Sequence, residues 1–285
     1  MLAIIGTFIV TVAIFGGYLM QGGNLSVLWA PAKIIMIFGA AIGGLILGSP
    51  AKVLKAVFAS VGKILAGKSY SKPDYMEVLM LLSEIFAKIR KEGLVSIEAD
   101  VDNPESSQIF SKYSKFLKNH HAVALLTDTL RTVMTTSIAP HELESLIDNE
   151  LEAHHEEALI PSKSMATMAE AFPGIGIAAA VLGVVITMQF LDQPPAILGP
   201  KVGAALLGTF LGVMLCYGYF APMAKSLEYI AAEDKDYLNV IKTSLVAFVG
   251  GAAPQIAVEF GRRVIPGNVK PSFVEVEEAI RQLKK

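Results

Sequence analysis

The sequence predicts an all-α integral membrane protein with four transmembrane helices in two hairpins, a large helical cytoplasmic insert and a helical C-terminal tail. The composition is 53% hydrophobic and 18% charged, too apolar for an average soluble domain and too charged for a transporter embedded along its whole length. Four stretches contain no Asp, Glu, Lys, Arg or His, and each approaches the roughly 20 residues that cross a bilayer as a helix. These stretches are residues 2–20, 34–51, 171–191 and 202–224.

The four stretches divide the chain into four parts. We expect a first transmembrane hairpin, a cytoplasmic helical domain, a second transmembrane hairpin and a cytoplasmic tail, over residues 1–51, 52–170, 171–224 and 225–285. A glycine-rich run at 16–23 suits a tight external turn, and Pro31 suits the first turn of the second span. The connection at 192–200 is equally short and proline-rich. Both outer loops are too small to bind much, so we expect function within the membrane or on its cytoplasmic side.

Lysine residues set the predicted orientation. Five of them closely follow the second span: Lys52, Lys55, Lys63, Lys68 and Lys72. Lys225 follows the fourth span, whereas the outer connections contain only Lys33 and Lys201, each at the start of the next span. The positive-inside rule therefore makes the long insert, the tail and both termini cytoplasmic.

The insert is predicted to be helical. From Tyr75 onward, apolar residues recur with the spacing of one face of an amphipathic helix, which Gly93 ends. The sequence Asn-Pro-Glu at 103–105 is typical of a helix start and predicts a helix to about residue 117. Further helices are predicted over four ranges: 122–138, 140–159, 162–170 continuing into the third span, and 225–248 continuing from the fourth.

Small residues recur every four positions in the spans, a spacing that lets helix backbones approach closely in lipid. The sets are Gly39 with Gly43, Gly176 with Ala180, Ala179 with Gly183, and Ala204 with Gly208 and Gly212. Two interpretations stay open. These residues pack helices within one subunit, or the third and fourth spans line an oligomer interface that holds a partner helix.

Pro173 and Pro222 lie near the cytoplasmic ends of the third and fourth spans. Each removes a backbone hydrogen bond and favours a kink. Prolines near helix ends commonly have no function, but the matching depth of these two also suits a coupled hinge. Thr187, Thr209 and Tyr217 are the main polar groups inside this second pair, and an isolated threonine in a span usually bonds its own backbone.

Several function classes are excluded or disfavoured. The charge-free stretches lack the acid or base that carries charge through most ion transporters, so a titrating group must come from elsewhere. The single cysteine, Cys216, excludes a disulfide framework and a cysteine-based metal site. Glu150 and His154 have the i,i+4 spacing of a metal pair, but no further ligand lies at a suitable spacing. We find no enzyme motif and expect no catalytic residue, metal or cofactor, and the net charge of −2 gives no nucleic-acid footprint.

Seven segments occur together in one order, and in combination they are specific although each alone is weak. They are residues 1–48, 90–98, 100–110, 172–183, 202–212, 254–263 and 271–278. Over nearly its whole length the chain resembles the MotA family of flagellar stator subunits, within the wider MotA/TolQ/ExbB group of proton channels. The resemblance implies a bacterial inner-membrane stator in which five such chains surround the single spans of two MotB-like chains.

In such a stator the MotB-like partner supplies the proton-binding aspartate, and ion flow drives rotation against the rotor protein FliG. The resemblance implies that Arg90 and Glu98 face FliG and that Glu150 is a further acid on that surface. Exposed ion pairs are worth about 0–1 kcal/mol each, weak enough to form and break repeatedly. Without the resemblance, solvated helix-end charge is the ordinary interpretation of Arg90 and Glu98.

The resemblance also assigns residues in the membrane. It implies that Pro173 and Pro222 couple ion transit to cytoplasmic movement and that Thr209 lies near the ion path. Ala180 matches a position at which sodium-driven relatives have threonine, so proton use is favoured.

Two other functions remain open. A channel of the ExbB/TolQ type would energise an envelope transporter, but such proteins typically have three spans and an outside N-terminus, against which the first hairpin argues. A non-conducting membrane scaffold is the other alternative. Co-expression with a MotB-like partner, with proton leak and motility as readouts, would distinguish the three.

Overall fold

The computed structural model describes residues 2–67 and 69–283, so Lys68, one of the lysines used for the orientation, lies outside it. The α-helices are α1 Leu2–Met20, α2 Leu25–Leu28, α3 Pro31–Gly48, α4 Ala51–Ala66, α5 Lys72–Glu92, α6 Glu98–Asp102, α7 Ser114–Leu117, α8 His120–Thr135, α9 Pro140–Met188, α10 Pro195–Val213, α11 Ala221–Val249, α12 Pro254–Val264 and α13 Phe273–Leu283. Short 3-10 turns occupy Leu94–Ile97, Pro104–Ser106 and Phe110–Lys112, and a π-helical turn occupies Met214–Phe220. The described residues contain no strand, and the all-helical prediction is confirmed.

Four helical segments are long and apolar enough to cross a membrane: Leu2–Met20, Leu25–Gly48, Pro140–Met188 and Pro195–Val249. Helix α3 begins at Pro31, as predicted from the proline, and Lys33 lies in its first turn. Helix α10 begins at Pro195, earlier than the charge-free stretch at 202–224, so Lys201 lies well inside it. The second predicted stretch also ends too late, since Ser49 and Pro50 are extended and separate α3 from α4.

The chain forms two compact units. Unit 1 comprises Met1–Lys68 and Ala158–Ile230, and unit 2 comprises Ser69–Glu157 and Ala231–Lys285. The long helices α9 and α11 each contribute residues to both units. As predicted, the third span continues without a break from the helix before it, and Pro161 does not interrupt α9.

In unit 1, helices α9 and α10 approach each other closely at glycine residues. A Cβ built on Gly176 would lie 2.7 Å from the Gly208 carbonyl oxygen, and one built on Gly212 would lie 2.5 Å from the Phe172 carbonyl oxygen. Only glycine permits such an approach of two backbones. The interpretation of these small residues as packing within one subunit is therefore correct for α9 and α10. At Gly39 an added Cβ would meet nothing within 4 Å.

Unit 2 has its hydrophobic core around α5, whose buried face includes Leu79, Leu82 and Phe86. The helix predicted from Tyr75 starts three residues earlier, because Ser71 and Asp74 form a capping box. It ends where predicted, since Gly93 adopts a φ of 87° that other residues rarely accept.

The helix predicted from Asn103 to about residue 117 is wrong. The segment instead contains two 3-10 turns and the single turn α7, and Asn103 makes no capping hydrogen bond with its side chain. Side chains occupy the backbone donors: Ser107 Oγ accepts from the N–H of Phe110 at 3.2 Å, and Glu77 of α5 accepts from the N–H of Lys115 at 2.9 Å. Such bonds compete with a regular helix.

Candidate functional site

The residues singled out from the sequence fall into two groups, one in each unit. Three charged residues lie in unit 2 and four uncharged residues in unit 1: Arg90, Glu98 and Glu150, then Pro173, Pro222, Ala180 and Thr209. The two groups call for different chemistry. The first can meet a charged partner at a surface, and the second shapes the helices of an apolar bundle.

Arg90 and Glu98 lie on either side of a tight reversal of the chain. Arg90 is in the last turn of α5 and Glu98 is the first residue of α6, with Gly93 and the 3-10 turn Leu94–Ile97 between them. Both side chains are exposed, and neither forms an ion pair or a side-chain hydrogen bond with another described residue. A cation at a helix C-terminus and an anion at an N-terminus also suit the helix dipoles. Both charges are therefore available to a partner.

A partly buried ion pair that was not predicted from the sequence supports this reversal. Lys88 Nζ on α5 lies 2.7 Å from Asp100 Oδ2 on α6, and Ser107 donates to Asp100 Oδ1 at 2.6 Å. Asp100 is only 9% exposed, so its charge is stabilised by these two donors rather than by water. One signal could have revealed it: Asp100 shares i,i+3,i+4 spacing with the buried Ile97 and Val101.

Glu150 lies on the exposed face of α9 and not beside the other two charges. Partial desolvation raises the pKa of Glu150, the negative charge of Asp128 on α8 raises it further, and His154 one turn later opposes both. No contact joins Glu150 to Arg90 or Glu98 within the described chain. A cation arriving from a partner would relieve the repulsion between Glu150 and Asp128.

Three aromatic rings connect the surroundings of the two prolines in unit 1. Phe172, fully buried, directly precedes Pro173, and Phe220 lies two residues before Pro222. Their ring centroids are 4.8 Å apart, and Phe38 of α3 packs against both at 5.5 Å and 6.2 Å. Because packed interiors are stiff and transmit strain, a displacement of one helix at its proline also displaces the other helix.

The backbone before Pro222 is a π-helical turn, which the sequence did not predict. The Ala221 N–H bonds the Cys216 carbonyl, five residues back. Pro222 has no N–H to offer the Gly218 carbonyl, and its ring crowds that carbonyl, so the wider turn relieves the conflict. Such π turns occur often at functional sites. Beyond the proline, Ser162 Oγ donates to the Ala224 carbonyl at 2.8 Å and ties α11 to α9.

Ala180 and Thr209 lie at the contact between α9 and α10. Ala180 is 8% exposed, and its backbone nitrogen would lie 2.9 Å from a Cβ added at Gly208, the neighbour of Thr209. Thr209 is partly exposed, and its hydroxyl forms no hydrogen bond within the part of the chain described. Thr187, by contrast, donates to the Gly183 carbonyl at 2.8 Å, as an isolated threonine in a span usually does.

Lys33 is a further charged residue at this contact, and the sequence analysis used it only for orientation. Its Nζ donates to the Ala205 carbonyl on α10 at 2.7 Å. A cation placed against a backbone carbonyl inside an apolar bundle holds α3 to α10. Ala205 precedes Thr209 by one helical turn.

The spacing of Glu150 and His154 corresponds to no metal site in the described chain. None of its His, Cys, Asp and Glu residues form a group of three or more that could hold a metal ion. His154 instead pairs with Asp234.

Fold and sites together define a class of protein: an all-helical membrane protein whose apolar helices are joined to a charged helical unit. Two family models match the chain, motility protein A N-terminal over residues 4–93 and the MotA/TolQ/ExbB proton channel family over residues 114–238. It is 38% identical to motility protein A of Escherichia coli (strain K12) over 284 residues, covering 100% of this chain and 96% of that protein. It is 36% identical over 274 residues to chemotaxis protein LafT of Vibrio parahaemolyticus, covering 96% of each.

Solved structures of the same fold agree. The chain is similar to C. jejuni MotAB with a TM-score of 0.78 at 18% identity, covering 95% of this chain and 98% of that one. It is similar to the flagellar MotAB stator complex from Bacillus subtilis with a TM-score of 0.72 at 21% identity, covering 90% and 92%. The chain belongs to the motility protein A family, as its sequence resemblance predicted.

Proposed function

We propose that this chain is a flagellar stator subunit of the bacterial inner membrane, with both termini cytoplasmic. With a MotB-like partner it forms a proton-conducting channel and converts ion flow into torque on the rotor protein FliG. Several copies, five by resemblance to the family, surround the partner's spans. This chain contributes the wall of the pathway and the moving helices, and the partner contributes the proton-binding aspartate.

The observation that carries the proposal is the ring cluster between the two prolines. Phe172 and Phe220 pack together beside Pro173 and Pro222, next to a π turn. A helix that already departs from α geometry needs less energy to change its local winding than a regular one does. Proton transfer at a partner beside α9 and α10 would therefore act next to a helix that is already irregular.

The missing acid supports the need for a partner. The four charge-free stretches contain no Asp, Glu, Lys, Arg or His, the side chains that usually carry protons through a membrane. Two lysines directly precede charge-free stretches: Lys33 is bound to the Ala205 carbonyl, and Lys201 is stacked on the Phe190 ring. Neither is a free carrier in the described chain, so the titrating aspartate belongs to the partner.

The free charges of unit 2 supply the rotor contact in this proposal. Arg90 and Glu98 have opposite signs and no partner among the described residues, and the pair Lys88–Asp100 fixes the reversal that presents them. Exposed charges of opposite sign orient an encounter without binding tightly. A rotor protein with a complementary acid and base could then be engaged and released in each step.

Complementation tests the proposal directly. A strain lacking its stator genes would receive this gene together with a MotB-like partner gene, and swimming speed would be recorded against external sodium and pH. We expect swimming that needs both genes, follows the proton gradient, is abolished by a protonophore and ignores sodium. Normal expression without swimming would overturn the stator assignment, and sodium-dependent speed would overturn the choice of ion.

The match to the motility protein A N-terminal model favours this function over an ExbB/TolQ-type channel. The wider proton-channel model over residues 114–238 is shared by both types and does not discriminate. Proton leak from cells expressing both genes would separate a conducting channel from a passive scaffold.

A further inference from the structure

Helix α4 has an unusual combination of position and charge. It follows α3 after the two extended residues Ser49 and Pro50, so it begins where a span ends. Its sixteen residues include three lysines and no acid. An amphipathic helix with this composition next to a span is typical of one lying in the membrane interface.

The buried face of α4 indicates its depth. Val57 and Ile64 are 2% and 4% exposed and belong to the hydrophobic cluster that contains Met165, Ala169 and Phe172 of α9. The charge-free run of α9 starts at residue 171. Because α4 starts directly after the two residues that follow span α3 and shares this cluster, it begins at the end of the apolar layer, which is the level of lipid headgroups.

The opposite face combines cations with exposed apolar groups. Lys52, Lys55 and Lys63 are exposed, and none has an acidic partner among the described residues. Phe58 is 64% exposed and Leu65 is 49% exposed, two turns apart on one side of the helix. Several lysines of unit 2 differ in this respect, since Lys72, Lys88 and Lys112 each pair with a carboxylate.

We propose that α4 binds the anionic phospholipid headgroups of the leaflet beside it. Lys52, Lys55 and Lys63 contact the lipid phosphates, while Phe58 and Leu65 enter the boundary between headgroups and acyl chains. Apolar residues beside lysines suit a bilayer surface better than they suit water, because the surface accepts both at once. The inference does not depend on ion conduction and holds for any function of the bundle.

The test uses the full chain with its MotB-like partner, purified in a neutral detergent. Thermal unfolding is measured with added phosphatidylglycerol, with phosphatidylcholine and with inorganic phosphate at equal phosphorus. We expect phosphatidylglycerol to raise Tm more than the other two, and 1 M salt to abolish the difference because it shortens the Debye length to about 3 Å. An equal effect of inorganic phosphate would overturn the lipid assignment.

Charge variants assign the effect to α4. The triple variant K52Q/K55Q/K63Q should lose affinity for phosphatidylglycerol added in the same detergent by about fivefold per lysine, whereas K52R/K55R/K63R should keep it. The control K91Q/K118Q removes exposed lysines of unit 2 and should change nothing. An unchanged lipid preference in the glutamine triple overturns the proposal. So does a change in its oligomeric state, which would mean that a second copy covers this face.

A depth measurement keeps the proposal testable if the triple variant does not fold. In a Trp29→Phe background, Phe58→Trp carries the only tryptophan, and its fluorescence is recorded in bilayers containing brominated lipid. We expect strong quenching at position 58 and none in the control Lys91→Trp. An unquenched Trp at position 58 would place the helix outside the interface and overturn the inference.

Discussion

His154 and Asp234 form an ion pair that joins α9 to α11 inside unit 2, with His154 Nε2 lying 2.9 Å from Asp234 Oδ2. The other oxygen, Asp234 Oδ1, accepts from the Tyr70 hydroxyl at 2.5 Å, and Asn119 Nδ2 donates to the Tyr70 oxygen at 2.8 Å. The paired side chains are 19% and 26% exposed. The carboxylate is thus held from two sides in a site largely shielded from water, where hydrogen bonds to charge are strong.

This arrangement shifts both pKa values. Burial by itself raises the pKa of Asp234, but the hydrogen bonds from His154 and Tyr70 together outweigh it and hold the pKa below its usual value. The hydrogen bond to Asp234 raises the pKa of His154 against the effect of burial, and the nearby Glu157 and Glu150 raise it further. Each charge therefore keeps the other ionised.

The first prediction is a pH window for the stability of the protein. The contribution of Asp234 is present above its unfolded pKa of about 3.9 and lost as pH falls through its lowered folded value. That of His154 is present below about 6.5 and lost as pH rises through its raised folded value. We expect the pair to stabilise most between about pH 4 and pH 6.5, measured as Tm against pH in detergent.

Asp234→Asn is the variant that tests this window. It should flatten the dependence of Tm on pH and lower the free energy of unfolding by about 1–3 kcal/mol near pH 6. Glu152→Gln is the control, because it removes an exposed pair with Lys235 and should change stability little. A wild-type pH profile in Asp234→Asn would contradict the assignment.

The second prediction concerns the close approach of α9 and α10. In Gly212→Ala the new methyl group would meet the Phe172 carbonyl at 2.5 Å, so the helices must separate. We expect a loss of about 1–3 kcal/mol, seen as a lower Tm. Gly203→Ala on the same helix meets nothing within 4 Å and should be neutral or slightly stabilising, since alanine favours helix. Equal effects of the two would show that this contact does not stabilise the protein.

The third prediction concerns the π turn, which we expect to be needed for swimming and proton flow but not for folding. Pro222→Ala restores an N–H for the Gly218 carbonyl, so the turn should relax toward regular α-helix. We expect swimming and proton flow to fall several-fold while expression and Tm are maintained. Pro200→Ala in α10 is a matched control, another proline inside a helix but away from the ring cluster, and should swim normally. Full motility in Pro222→Ala would remove this proline from the proposed coupling.

The sequence predicted the features that depend on local pattern. The charge-free runs located the apolar helices. The apolar spacing after Tyr75 and the glycine at 93 located α5, because the buried face of a helix and a positive φ at its end both depend on residues close together in the sequence. The pairs Lys88–Asp100 and His154–Asp234 were missed because they join residues that only tertiary packing brings together. The helix predicted from Asn103 failed for the same reason, since the donors and acceptors that replaced it belong to other segments.

The fourth prediction concerns the charged reversal in unit 2. Arg90→Glu should abolish swimming or reduce it several-fold while leaving Tm nearly unchanged, because Arg90 is exposed and has no partner among the described residues. Lys91→Glu makes the same charge change one residue along, at a side chain 82% exposed, and should swim much better. If both variants swim alike, the effect is one of net charge, and the specific rotor contact is refuted.

The fifth prediction tests the ion path through Ala180, which lies buried against Gly208 next to Thr209. Ala180→Thr adds both bulk and a hydroxyl, and Ala180→Val adds similar bulk alone. We expect the valine variant to lose some speed through packing but to stay indifferent to sodium. The threonine variant should gain a response of swimming speed to external sodium, because a hydroxyl oxygen can replace a water ligand of the ion. Since Thr187 bonds its own helix, the new hydroxyl could do likewise, so Thr209→Ala is measured in parallel. If all three variants show the wild-type dependence on sodium and pH, the contact of α9 with α10 is packing alone and the ion passes elsewhere.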